Sequence, residues 1–137
     1  MWNAFIEHAS TTNLENAIED LVGVEKKEQF FNLYRKNYIT EKDIVFLAKE
    51  GFNALRIPLH YKHFSPSPNV FINEGFDLLD PIVELCKENN IYLILDMHAA
   101  PGAQNTNDFS DSDGETAKLF TQYENQIWLA STWRYIA

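Results

Sequence analysis

The sequence predicts an α/β fold in which helices wrap a parallel sheet, and three observations predict it. The segment "IYLILDM", 91–97, is apolar without in-out alternation, the pattern of a strand covered on both faces. It is separated from the β-prone "NALRIPL", 53–59, by a stretch with helical spacing. The resulting order of helix, strand, helix, strand, helix is βαβ logic with a right-handed crossover.

Taken in order, "NLENAIEDLVG" predicts a short helix ending at Gly23, and "EKKEQFFNLYRKN" carries Phe30, Phe31 and Tyr34 at helical spacing. "TEKDIVFLAKEG" is marked at both ends: Thr40 with Asp43 three residues on resembles a capping box, and Gly51 suits the left-handed position after a helix. The strand that follows is expected to stop at Pro58. The Ser/Pro cluster "SPSPN", 65–69, reads as one loop. In "DPIVELCKENN" the helix is expected to start at Pro81 with Asp80 as its cap, after a turn holding Phe76, Leu78 and Leu79, and to close at Asn89 or Asn90. From about Thr116 to Ala137, Phe120, Ile127, Trp133 and Ile136 recur at loose helical intervals.

Composition limits the function. The 137 residues are enough for one domain with a real core. Eleven basic against twenty acidic residues leave a formal charge of −9 with no basic stripe, which argues against a nucleic-acid partner and places no barrier before a neutral ligand. No apolar run reaches the roughly 18 residues of a membrane span, and no export signal is visible in the first twenty residues. The single cysteine, Cys86, permits no internal disulfide and reads as part of a helix face.

In parallel α/β architectures ligands bind beyond the carboxyl ends of the strands. The residues there are Arg56 and His60 after the first strand, and Asp96, His98 and the loop to Asn105 after the second. Asp96 and His98 are two apart and therefore share a side of the strand. Arg56 lies among Leu55, Ile57 and Pro58, a setting in which a guanidinium calls for an anionic partner.

Together "GFNALRIPLHY" (Gly51 to Tyr61) and "LILDMHAAPGAQN" (93–105) resemble glycoside hydrolase family 5, the cellulase-like enzymes. The second strand of that family reads G-x-N-x-x-R-[IV]-P, and its third runs into D-x-H-x-x-P-G-x-Q-N, most closely in the glucanase branch. The resemblance implies a (β/α)₈ barrel, retaining hydrolysis of β-glycosidic bonds, an oligo- or polysaccharide partner, no cofactor, no metal, and an extracellular or periplasmic setting. It further implies two glutamates, one protonating the leaving oxygen and one attacking the anomeric carbon from about 5 to 5.5 Å away. The family's strand-2 arginine corresponds to Arg56, whose guanidinium would lower the nucleophile's pKa by roughly 1 to 3 pH units. Its histidine after strand 3 corresponds to His98, beside the reacting sugar.

The chain departs from the family pattern in two places. It contains no Asn-Glu-Pro, the family's acid/base signature on strand 4, and its single Asn-Glu, Asn73–Glu74, precedes the crossover helix. A barrel takes about 250 residues, so residues 1–137 are expected to form part of one barrel domain, a partial (β/α)₈ barrel with strands 2 and 3 and their helices, and to be inactive alone. "MWN" at the start resembles the Trp-rich segment after strand 1. Beyond Asn105 the family's glycine, aromatic and Asp-Asn are replaced by "TNDFSDSDG", where Asp108 and Phe109 could contact sugar, while the acidic run reads otherwise as a solvated loop.

His60, Tyr61 and His63 in "LHYKHF" are candidates for a sugar-binding wall, and Trp133 for core packing. Two further readings differ in class. One is a non-catalytic sugar-binding remnant. The other is an unrelated metal-dependent barrel hydrolase using Asp96 and His98, although a metal needs more ligands than two.

Overall fold

The computed structural model describes residues 10–137, so the "MWN" segment lies outside the described residues. Helix α1 (Thr11–Val22) opens where Ser10 Oγ accepts the Asn13 N–H at 3.3 Å, and ends at Gly23, whose φ of 82° lets the chain turn directly into α2 (Val24–Tyr38). Arg35 to Glu15 (3.0 Å) and Lys27 to Glu19 (2.5 Å) tie the two helices into a hairpin. In α3 (Glu41–Lys49) the Asp43 carboxylate returns to the Thr40 backbone N–H at 2.8 Å, completing the expected cap, and Gly51 takes the left-handed turn at φ 85°.

Strand β1 (Ala54–His60) leads through a 3₁₀ turn (Tyr61–His63) to α4 (Glu74–Glu88), and β2 (Tyr92–Ala99) leads through a second 3₁₀ turn (Asp108–Ser110) to α5 (Lys118–Thr121) and α6 (Tyr123–Ile136). The two strands are parallel, with Arg56 opposite Ile94 and Pro58 opposite Asp96. The crossover predicted from the apolar pattern is therefore present.

Three expectations are corrected. The strand does not stop at Pro58 but continues to His60, because Pro58 lies in a strand with a free edge among the described residues, where its missing N–H costs no ladder bond. Asp80 is not a cap. Helix α4 starts at Glu74 and carries Pro81 inside it. Burial on both sides of the proline outweighs its penalty: Phe76 packs edge-on against Phe64 (centroids 5.3 Å apart), while Leu79 and Cys86 are buried. Asn89 caps the end and Asn90 adopts the left-handed conformation at φ 57°.

The third correction concerns β2, which is covered on one face. Leu55, Ile57, Leu59, Leu93, Leu95 and Met97 pack toward helices α4 and α6, in a core with Phe64, Leu79 and Trp133. A second cluster of Ile44, Cys86 and Ile91 joins α3 to α4. On the opposite face Tyr92 and Ile94 are exposed, 78% and 55%. Two strands cannot curl far enough to bury that face against itself, so a uniformly apolar strand is left half bare.

Gly75 shows how closely α4 is seated. A Cβ there would lie 2.4 Å from Cε1 of Phe64, a ring only 2% exposed. Helix propensity alone favours alanine by up to about 1 kcal/mol, but the clash dominates. Gly75→Ala is expected to destabilise the chain by about 1 to 3 kcal/mol in a denaturant titration, with Gly75→Ser at least as costly.

Candidate active site

Arg56 lies within β1 and not after it, and its side chain meets Asp96 and His98 of β2 on the sheet face that carries the exposed Ile94. Arg56 donates from Nε (3.0 Å) and Nη2 (2.5 Å) to Oδ2 of Asp96, and Nδ1 of His98 lies 2.8 Å from that same oxygen and 3.0 Å from Nη2. The anion that the arginine called for is thus Asp96, on the neighbouring strand. Burial alone would raise the Asp96 carboxyl, but the hydrogen bonds from Arg56 and His98 and the charge of Arg56 outweigh it and hold the group below the ordinary carboxylate range.

An ionised Asp96 decides the tautomer of His98. A guanidinium nitrogen and a carboxylate both lie against Nδ1, and only a proton on Nδ1 avoids placing two lone pairs together. Nδ1–H therefore donates to Asp96, and Nε2 keeps its lone pair as an acceptor. Because the Arg56 side chain is 56% exposed, the ion pair adds less than about 1 kcal/mol of stability. Its effect is orientation.

A break in the strand register aims the imidazole. Leu59 pairs with Met97 and His60 with Ala99, so His98 is the extra residue of a bulge. Gln104 fixes the backbone there, its Nε2 donating to the His98 carbonyl while its Oε1 accepts the Ala100 N–H at 3.3 Å. Gly102, at φ 73°, lets the side chain of Asn125 from α6 approach this loop. The Phe109 ring lies beside the imidazole, centroids 5.4 Å apart.

A second group surrounds Asp111, the residue that sequence reasoning missed. Its carboxylate accepts from the Thr12 N–H and hydroxyl (both 2.7 Å), Lys62 Nζ (3.0 Å) and His60 Nε2 (3.1 Å). The run "DFSDSDG" is accordingly not a solvated loop: Asp111 is 4% exposed on its side chain, and Ser110 and Ser112 are buried. Burial would raise the Asp111 carboxyl, and the bonds from His60, Thr12 and Lys62 hold it well below the usual range instead. Nothing in the run distinguishes Asp111 from its acidic neighbours. Only the fold brings four donor groups from three residues to it.

His60 is fully engaged, since Nδ1 also accepts the Lys62 N–H at 3.2 Å. Tyr61 packs between His60 and Trp128, each 5.1 Å away by centroid, and burial, with Asp111 adding, pushes its hydroxyl up to about 12. His63 pairs with Glu74 at 3.0 Å, apart from the sheet end. Asn105 Oδ1 accepts from the Asn107 N–H (2.8 Å) and Ser110 hydroxyl (2.9 Å), shaping the loop in which Asp108 begins the turn that presents Phe109. Among the described residues no group of three or more His, Cys, Asp or Glu side chains is placed to share a metal ion. Cys86 is buried in the helix core.

Asp111 joins the start of α1, the end of β1 and the loop after β2, so its loss should be felt in stability. Asp111→Ala is expected to cost about 2 kcal/mol, below the figure for a fully buried ion because the half-exposed Lys62 can rehydrate. A carboxyl whose pKa is depressed on folding stabilises above its unfolded value near 3.8 and ceases to do so as pH falls below it. Stability measured by denaturant titration should therefore drop as pH is lowered below about 4, with a shallower drop in Asp111→Asn.

The comparisons with known proteins give the family and the fold. The family described as Cellulase (glycosyl hydrolase family 5) matches residues 11–137. The chain is 39% identical over 118 residues to a β-xylosidase of Phanerodontia chrysosporium, covering 82% of this chain and 25% of that protein. It is 35% identical over 102 residues to endoglucanase C of Acetivibrio thermocellus, covering 73% and 28%. The crystal structure of rutinosidase from Aspergillus niger superposes with a TM-score of 0.64 at 25% identity, over 73% of this chain and 28% of that one. The chain thus spans about a quarter of the length of the curated relatives it matches, and its two strands and flanking helices are a partial α/β barrel. On its matched residues and its fold, the chain belongs to glycosyl hydrolase family 5.

Proposed function

We propose that this chain contributes the second and third strands of a (β/α)₈ glycoside hydrolase that cleaves β-glycosidic bonds in a glucan or related polysaccharide, with retention of anomeric configuration. The observation that carries the reading is the guanidinium of Arg56 and the imidazole of His98 sharing one oxygen of Asp96 on one face of two parallel strands. The relatives include an endoglucanase and a probable glucan 1,3-β-glucosidase, 31% identical over 101 residues, which supports a β-linked substrate.

In this reading Arg56, already turned by Asp96, presents its remaining N–H groups toward the position of the nucleophilic carboxylate and keeps that carboxylate ionised. His98 accepts a hydroxyl of the reacting sugar on Nε2, and Phe109 beside it offers a ring to a sugar face. Asp96 is a positioning residue. Asn105 and Asp108 shape the loop at the sugar's edge. Tyr61, its hydroxyl protonated, donates a hydrogen bond, while His60 supports from behind. The acid/base and nucleophile glutamates lie on strands outside this chain, and secretion fits a polymeric substrate.

The test is to express the reading frame extended through the remaining strands and to assay β-1,3- and β-1,4-linked glucans, reading the product anomer by proton NMR. Hydrolysis with retention is expected, with Arg56→Ala lowering kcat/KM by about 100-fold or more and His98→Ala acting mainly on KM. Inverted product, or an Arg56→Ala enzyme of unchanged kcat/KM, would refute the proposal. Saturable binding with no hydrolysis would favour a sugar-binding module.

A further inference from the structure

Outboard of the mouth, the α1–α2 hairpin leans over the end of β1 and borders a half-open cavity of about 350 Å³. Neither Arg56 nor His98 lines it. It is reached from them along β1, since His60, which lines it, lies four residues beyond Arg56 on the same face of the strand, about 13 Å away.

The charges of its wall balance. Lys27, Arg35 and Lys62 face Glu15, Glu28 and Glu74, and most of them are already tied: Arg35 to Glu15 (3.0 Å) and Glu74 (3.6 Å), Lys27 to Glu19, and Lys62 to Asp111. The His63 imidazole adds no charge near neutral pH, because burial, with the charge of Arg35, holds it below its ordinary range against the opposing pull of Glu74. An anionic ligand would meet three carboxylates and a cationic one three bases, five of these six groups already held in ion pairs. A neutral ligand with many hydroxyls meets neither penalty and finds donors and acceptors of both kinds. Two side chains complete such a site: Phe31 supplies an aromatic wall, and the amide of Asn32 has no hydrogen-bond partner among the described residues.

We infer that this cavity is an accessory subsite that takes a neutral sugar unit of the same glycan, a few units from the one held at the mouth. The inference rests on the proposed reading of the mouth as a glycan site. It also gives the helical hairpin a role beyond packing, because α1 and α2 build most of the cavity, and the Asp111 clasp holds the hairpin against β1 through Thr12. Charged glycans are excluded by the same balance.

Equilibrium dialysis of the 137-residue chain against β-linked glucose dimers and pentamers tests it. The pentamer should bind at least tenfold more tightly than the dimer. Asn32→Ala removes the free amide and Asn32→Trp fills the cavity from an exposed position on the helix. Both should abolish the pentamer's advantage and leave dimer binding unchanged. Equal affinity of dimer and pentamer for the wild type, failure of every oligosaccharide to bind, or an advantage that survives Asn32→Trp would overturn the subsite. The mouth is tested separately by His98→Ala, which should weaken dimer and pentamer alike. If it leaves the dimer unaffected while Asn32→Trp still removes the pentamer's advantage, the mouth reading fails and the subsite stands.

Discussion

One carboxylate oxygen organises the sheet end. Oδ2 of Asp96 receives both a guanidinium and an imidazole, and each of those groups needs it for a different reason. Without an anion beside it, Arg56 would sit on an apolar strand with no fixed direction. Without an acceptor at Nδ1, His98 could place its proton on either nitrogen. The parallel register makes the meeting possible, since Arg56 stands opposite Ile94 and so reaches diagonally to Asp96. His98 itself stands unpaired in the register, between Met97 and Ala99, which face Leu59 and His60. A pair this exposed contributes little to folding, and what it fixes is a tautomer and a direction.

The second carboxylate acts on a larger scale. Asp111 collects Thr12 from the first helix and His60 and Lys62 from the end of β1, while belonging itself to the loop after β2. Three segments distant in sequence are therefore held at one end of the sheet. Phe109 is two residues from Asp111, so its place against His98 depends on that anchor. The mouth and the hairpin cavity are linked through it, since Lys62 and His60 line the cavity while Asp111 holds both.

Much of this was legible before any coordinates. Helix ends written in local chemistry, such as Thr40 with Asp43 or Gly23 after Val22, read correctly because capping needs only neighbours in sequence. That Asp96 and His98 share a side of their strand followed from a spacing of two, and their side chains do meet. Pro81 was misread, because a proline's local preference for a helix start was outweighed by Phe76 and Leu79 packing across it. The uniformly apolar β2 gave no sign that one face would be bare. Asp111 was illegible on physical grounds, as its partners lie 49 to 99 residues away and an acidic loop looks the same whether it meets solvent or three donor residues. The bulge that isolates His98 likewise arises from pairing between strands and leaves no mark in either one alone.

The account turns on the protonation that Asp96 imposes on His98, and nitrogen-15 NMR of the histidine side chains measures it directly. In its neutral form the His98 ring should show a protonated Nδ1 and an unprotonated Nε2, with the pattern lost in Asp96→Ala. A ring carrying its proton on Nε2, with Nδ1 accepting from Arg56, would contradict the arrangement at its centre.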